Sequence, residues 1–247
     1  MGLGAETARQ LAGRGVSTIV LTARSLDRLE KLAAELEAAH ETHAHVIQAD
    51  LAEPGGAASV VAEVESLGLD IDVLINNAGF GKWGRFEQRE IGIYREMIDL
   101  NVSSLVELCH RLGAPMLERG RGAILNVGSL AGFVTLPYVG VYAATKAFVL
   151  SFSEALWAEW RSRGVTVTCL CPGGTESGFH ETSESYHHGS RRYMPADVVV
   201  RAGLEGLLAG KATVFASFTH LAVSRAPALM SRGHAARIMA RKLRPPE

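Results

Sequence analysis

The sequence predicts a doubly wound α/β domain, and three observations predict it. Apolar runs rich in Val and Ile recur at 17–22 (STIVLT), 45–49 (HVIQA), 71–75 (IDVLI), 122–127 (GAILNV) and 165–170 (VTVTCL), each the length of a buried strand. Amphipathic helical patterns separate every successive pair of runs. Parallel neighbours need a crossover helix, so this alternation argues for a parallel sheet covered on both faces. The third observation is the opening, Gly2-Leu3-Gly4 followed at once by AETARQLAGRG, a glycine turn running straight into a helix.

Taken in order, the second helix is SLDRLEKLAAELEAAH, with Leu26, Leu29, Leu32 and Leu36 on one face. GGAASVVAEVESLG gives the third, EIGIYREMIDLNVSSLVELCHRLGAPMLERG a long fourth over 90–117, and a further long helix is predicted over 137–163 around YAATKAFVLSFSEALWAEWRSRG. Residues 176–194 are polar and aperiodic, as in a loop over a site, and Pro195 opens another helix at ADVVVRAGLEGLLAG. In such folds a ligand lies beyond the carboxyl ends of the strands.

A chain of 247 residues suits one domain, and a net charge of −1 gives no reason to expect nucleic acid as a partner. The basic residues gather at the end: Lys211, Arg225, Arg232, Arg237, Arg241, Lys242 and Arg244 against the single acid Glu247. Three cysteines form neither a disulfide framework nor a zinc tetrad and fit a reducing cytoplasm. The chain opens without a secretory pattern, so export is not expected unless the true start lies upstream. The stretch 122–145 carries no charge, yet Asn126, Ser129, Pro137 and two tyrosines make it a buried strand, loop and helix start rather than a membrane span.

Candidate chemistry falls at the predicted strand ends. Arg24 closes the second-strand segment LTARS without a nearby acid on that strand end, which favours the phosphate of NADP over the ribose hydroxyls of NAD. Asp50 and Leu51 close the next strand, with a carboxylate able to accept from an adenine amine. In INNAG (75–79), Asn77, Ala78 and Gly79 let backbone approach a flat ligand while asparagine side chains tie neighbouring strand ends. Tyr142 and Lys146 stand four apart, on one helix face. A phenol of ordinary pKa about 10 needs roughly 3–4 kcal/mol of help to work near neutrality, and a neighbouring ammonium with an oxidised nicotinamide has the right sign. Ser129, at the end of GAILNVGS, can hold a substrate carbonyl against Tyr142, and Asn101 can open a helical turn and seat a water that returns protons to Lys146.

Jointly these residues resemble the short-chain dehydrogenase/reductase family. The matched positions are the turn remnant Gly2-Leu3-Gly4, Asp50, Asn76-Asn77-Ala78-Gly79, Asn101, Ser129, Tyr142, Lys146, and Pro172-Gly173 with Thr175 and Ser177. The resemblance covers about residues 2–210 and implies a Rossmann-like sheet, binding of NAD(H) or NADP(H), with NADP(H) preferred over NAD(H) on the strength of Arg24, and hydride exchange with a carbonyl or alcohol carbon. It implies that Tyr142 is the proton donor or acceptor, that Lys146 lowers its pKa and holds the nicotinamide ribose, and that Ser129 positions the carbonyl. Asn101 supports the relay, and Thr175 by its backbone and Ser177 by its hydroxyl contact the carboxamide end. The bacterial branch near 3-oxoacyl and steroid reductases is the most similar in YAATKAFVLSFSEAL and CPGGT.

The family pattern begins with a strand and T-G-x3-G-x-G, and this sequence starts at the second glycine. A sheet ordered 3-2-1-4-5 would then lack its first strand, leaving the strands at 17–22 and 71–75 with unpaired inner edges. The expectation is a natural chain begun upstream; the competing one is a short form, silent toward cofactor, that acts as a binding or scaffolding subunit. The domain is expected over 1–215 with a basic amphipathic extension over 216–247, which is expected to pack on the domain or a partner subunit in preference to a membrane surface. Phe80, Trp83, Phe86, Phe179 and Tyr186 are expected to wall the site, suggesting an apolar or acyl-type carbonyl substrate. No metal is expected from His43, His45, His180, Glu184, His187 or His188, which lack tetrad spacing. The two long helices imply a homodimer or homotetramer.

Overall fold

A computed structural model describes residues 2–176, 193–225 and 231–245, the last three of the middle span and residue 232 by backbone alone. Helix α1 (Leu3–Ala12) starts on Gly2 and leads to β1 (Thr18–Ala23), α2 (Leu26–Ala39), β2 (His43–Gln48), α3 (Gly56–Ser66) and β3 (Val73–Asn76). Then come α4 (Ile91–Ile98), α5 (Ser104–Arg119), β4 (Gly122–Val127), α6 (Gly140–Trp160), β5 (Val165–Leu170), α7 (Ala196–Leu208), β6 (Thr213–Val214), α8 (Phe218–Arg225) and α9 (Arg232–Lys242). Every strand pairing is parallel, as the alternation requires.

The sheet is split. Among the described residues β1 pairs only with β2, from Thr18 opposite His43 to Ala23 opposite Gln48, while β3, β4, β5 and β6 form a separate four-stranded sheet in that order. Among the described residues no strand lies between β1 and β3, the arrangement expected for a sheet without its central strand. Apolar packing nevertheless spans the break. Val20 of β1 joins Leu74 of β3 in the cluster built on Ile47, Val60, Val61, Val64 and Leu108.

Helices cover both faces. Buried Leu105, Cys109, Met116, Val149 and Leu156 of α5 and α6 pack on Ile124, Val165 and Val167, and α7 packs Val199, Val200 and Leu204 on Leu125, Leu170 and Val214. Each such side chain withdrawn from water contributes about 1.5–3 kcal/mol. In α2 the buried residues Leu29, Ala33 and Leu36 mark the inward stripe that its leucine spacing predicts. Gly120 ends α5 at φ +66, the left-handed cap that a residue with a Cβ adopts at a cost, and Arg121 N–H then bonds back to the Met116 carbonyl at 3.1 Å.

Three expectations change. The long helix predicted over 90–117 is two helices, because Asp99–Ser103 form a π turn whose wider winding interrupts the regular ladder. Strand β6 was not foreseen: Thr213 and Val214 make a two-residue run, too short to register as a period, and they pair with Cys169 and Leu170. The C-terminal region holds two helices rather than one amphipathic run. No described helix is long and apolar enough to cross a membrane.

Candidate active site

Because the strands run parallel, the segments following β3, β4 and β5 emerge on one rim of the sheet. Asn76, at the end of β3, donates to Asn126 Oδ1 of β4 at 2.9 Å, so asparagine does tie neighbouring strand ends. Asn126 in turn donates to Ser153 Oγ at 2.9 Å, and Asn76 also reaches Cys109 Sγ at 3.2 Å. This fully buried chain links two strands to α6, the helix that carries Tyr142 and Lys146.

On the first turns of α6, Lys146 is buried and donates to the Val127 carbonyl at 2.7 Å. Its Nζ stands 5.9 Å from the centre of the Tyr142 ring. Burial pulls the Lys146 ammonium down to about 8, partly opposed by the nearby Cys169 and Cys171. Burial pushes the Tyr142 phenol up to about 12, against a lowering hydrogen bond with Ser129. The expected depression of the phenol is therefore absent from the protein alone. Loss of water around a phenolate outweighs what the surrounding groups supply. Ser129 Oγ accepts from the Ala131 amide at 3.1 Å, which orients the hydroxyl at the start of the short turn Leu130–Phe133.

Asn101 lies inside the π turn and is buried. Its Oδ1 accepts from the Phe80 amide at 3.0 Å, and its Nδ2 donates to the Phe80 carbonyl at 2.9 Å and to Thr145 Oγ1 at 3.0 Å. Gly79 sits directly between the groups: a Cβ there would stand 2.9 Å from Asn101 Oδ1 and 3.4 Å from Lys146 Nζ. Only glycine leaves both polar atoms in place.

The residues expected on the cofactor side fall at strand ends and at the start of α1. Asn77 abuts the first turn of α1, where a Cβ on Gly4 would meet its Nδ2 at 2.6 Å. Gly2 has open space around it and caps α1 without a side-chain bond, so the leading amides of α1 keep their donors for an anion beside Leu3. Asp50 Oδ1 is bound by the Ala52 amide at 2.9 Å, and Leu51 is buried. Arg24 is largely exposed, 3.7 Å from Asp50 and 3.4 Å from Glu96 Oε1. The Pro172 carbonyl accepts from the Leu130 amide at 2.9 Å, holding the Pro172-Gly173 loop beside Ser129. Thr175 is buried and donates to the Gly173 carbonyl at 3.1 Å. Ser177, Phe179, Tyr186, His180, Glu184, His187 and His188 lie outside the described residues.

Three features at this rim bear on whether a dinucleotide would fit. The start of α1 has no side-chain cap, Gly2 has open space around it, and His220 Nδ1 is a buried nitrogen without a hydrogen-bond partner among the described residues. The His220 ring rests on Gly173, where a Cβ would come within 2.4 Å of its Nε2, so α8 reaches the site loop. Ala78 belongs to the same strand-end loop. Trp83 Nε1 donates to the Leu243 carbonyl at 3.0 Å, which ties the end of α9 to the loop after β3. Phe86, by contrast, is mostly exposed and stacks on Tyr94 at 5.0 Å. Among the described residues no group of three His, Cys, Asp or Glu side chains could hold a metal.

Sequence reasoning missed Thr145, Ser153, Glu96 and His220. Ser153 was reachable: it follows Lys146 by two helical turns and so shares its face. Glu96 and His220 come from distant segments, and no local spacing announces them.

Known proteins resemble this chain in sequence and in fold. A family model described as short chain dehydrogenase matches residues 1–187. The chain is 37% identical over 180 residues to sulfoacetaldehyde reductase of Chromohalobacter salexigens, covering 72% of this chain and 70% of that protein. It is 31% identical over 181 residues to human very-long-chain 3-oxoacyl-CoA reductase, covering 69% of this chain and 55% of the reductase. The chain spans about half the length of several curated relatives that it matches. Among solved structures, a short-chain dehydrogenase from Sphingobium yanoikuyae in complex with NADPH superposes with a TM-score of 0.84 at 31% identity, covering 100% of this chain and 94% of that one. With residues 1–187 under one family model and Asn101, Ser129, Tyr142 and Lys146 gathered on the strand-end rim, the chain belongs to the short-chain dehydrogenase/reductase family.

Proposed function

We propose that the chain is an NADP(H)-dependent oxidoreductase that exchanges hydride between the nicotinamide and a carbonyl or secondary alcohol of an apolar or acyl-type small molecule, working chiefly as a carbonyl reductase. The observation that carries this reading is the convergence of Asn101 Oδ1 and Lys146 Nζ on Gly79, with Tyr142 and Ser129 hydrogen-bonded on the adjoining strand end. The bound nicotinamide supplies the hydride and, when oxidised, a positive charge. The chain's own groups do the rest. Ser129 holds the substrate oxygen, Tyr142 gives it a proton, and Lys146 favours the resulting phenolate from within the same helix face. Asn101 keeps the π turn fixed against Phe80 and Thr145, so that the wall beside Lys146 does not move.

The amides at the head of α1, with Gly2 and Leu3, receive the pyrophosphate. Asp50 and Leu51 meet the adenine, Arg24 meets the ribose phosphate, and Asn77, Ala78 and Gly79 line the path to the nicotinamide. Pro172, Gly173, Thr175 and Ser177 take the carboxamide end. The NADPH named in the Sphingobium relative supports this choice of coenzyme, and the three buried free thiols suit the cytoplasm. A homodimer or homotetramer is the assembly proposed.

Thermal-shift titration tests the reading. A ligand at 100 times its Kd stabilises by about 2.7 kcal/mol, so NADPH should raise Tm at concentrations where NADH does little. A larger shift with NADH, or none with either, overturns it.

A further inference from the structure

Arg24 does not stand alone at the mouth of the adenosine side. Its backbone carbonyl is held by Gln48 Nε2 at 2.8 Å, which sets the end of β1, and its Nη1 lies 3.4 Å from Glu96 and 3.7 Å from Asp50. Glu96 is on α4, a separate element carried to this point by the same helix that continues into Asn101. One guanidinium thus faces two carboxylates, and the trio is net negative where a phosphate would arrive. A phosphate brings nearly two further negative charges at neutral pH. It must take the guanidinium from Glu96 and also approach Glu96 itself.

We propose that Glu96 is a specificity-determining residue for the coenzyme: by holding Arg24, it sets how strongly the site prefers an adenosine ribose carrying a 2′-phosphate over one carrying a hydroxyl. The inference rests on the NADP(H) reading above and adds a residue to it. Asp50 is tied to the Ala52 amide and is committed to its turn, whereas Glu96 is the freer partner and the one whose charge can be removed without loosening the loop. Exposed pairs of this kind are individually weak, so the effect is a tuning rather than a switch.

The test is calorimetric titration of the full chain with adenosine 2′,5′-bisphosphate and with AMP, which read the adenosine side without the nicotinamide or any turnover. Glu96→Gln should tighten the bisphosphate about three- to tenfold and change AMP less than twofold. In Arg24→Ala the bisphosphate should weaken, and adding Glu96→Gln to it should restore little. Equal tightening of both nucleotides, or none, overturns the role of Glu96 alone. Looser AMP binding in Glu96→Gln also overturns it, by showing that Glu96 reads the ribose hydroxyls. A wild-type chain that binds AMP as tightly as the bisphosphate overturns the NADP reading and this inference with it. Glu96 is exposed, and an unchanged Tm will show that the variant is folded.

Discussion

Lys146 donates its ammonium proton to the Val127 carbonyl at 2.7 Å, which fastens the face of α6 that carries Lys146 to the end of β4. Burial is the leading cause of its shift, so the folded chain releases this proton near 8 whereas the unfolded chain keeps it to 10.5. Between those values the unfolded state binds more protons, and stability from this group rises with pH. Well below 8 both states are charged and the burial penalty is present in full. The buried thiol of Cys109, pushed up to about 12, works in the opposite direction. Comparing wild type with Lys146→Met removes that contribution. Urea denaturation at pH 8 and pH 10 should show wild type gaining on the variant by on the order of 2–3 kcal/mol; parallel curves would refute the buried ammonium.

Tyr142→Phe keeps the ring and removes the acid. Turnover should fall by about two to four orders of magnitude, the range for a lost general acid, with NADPH affinity within about threefold of wild type. Steady-state rates with a panel of apolar ketones, beside fluorescence titration of NADPH, check both halves.

The Asn76, Asn126 and Ser153 chain is buried, and Ser153 itself accepts from Asn126 while donating to the Val149 carbonyl at 2.6 Å. Ser153→Ala strands the Asn126 amide without an acceptor. The expected loss is about 1–3 kcal/mol by chemical denaturation, and Ser153→Thr should recover part of it.

The split sheet leaves one side of β1 and one side of β3 without strand partners among the described residues. Hydrogen exchange read by mass spectrometry should find peptides over 18–23 and 73–76 exchanging faster than those over 122–127 and 165–170, which belong to the centre of the larger sheet. Equal protection would mean that the break is closed in solution.

Much of this was legible in the residues. Val- and Ile-rich runs placed five strands within about two residues, because buried parallel strands require continuous apolar stretches that little else imitates. The break between β1 and β3 is the gap expected from the strand order. Asn101, Ser129, Tyr142 and Lys146 could be singled out as candidates by their offsets within their own elements, and the fold brings Asn101 and Lys146 to Gly79 and Tyr142 to Ser129. What escaped depends on contacts between distant segments. Arg24 reads as a free cation in LTARS, and its two carboxylates arrive from Asp50 and Glu96. Likewise, the shift of Tyr142 upward reflects how much water the fold excludes, which no spacing of Tyr and Lys encodes.

The π turn at Asp99–Ser103 costs regular backbone bonds in the middle of an otherwise continuous helix. Deleting one residue there would let α4 and α5 fuse into a single uninterrupted rod, and would swing Asn101 away from Phe80 and Thr145 as it did so. The irregular winding is thus the condition for seating a buried amide against a neighbouring loop and α6, and its backbone cost is offset by the three bonds that Asn101 makes there.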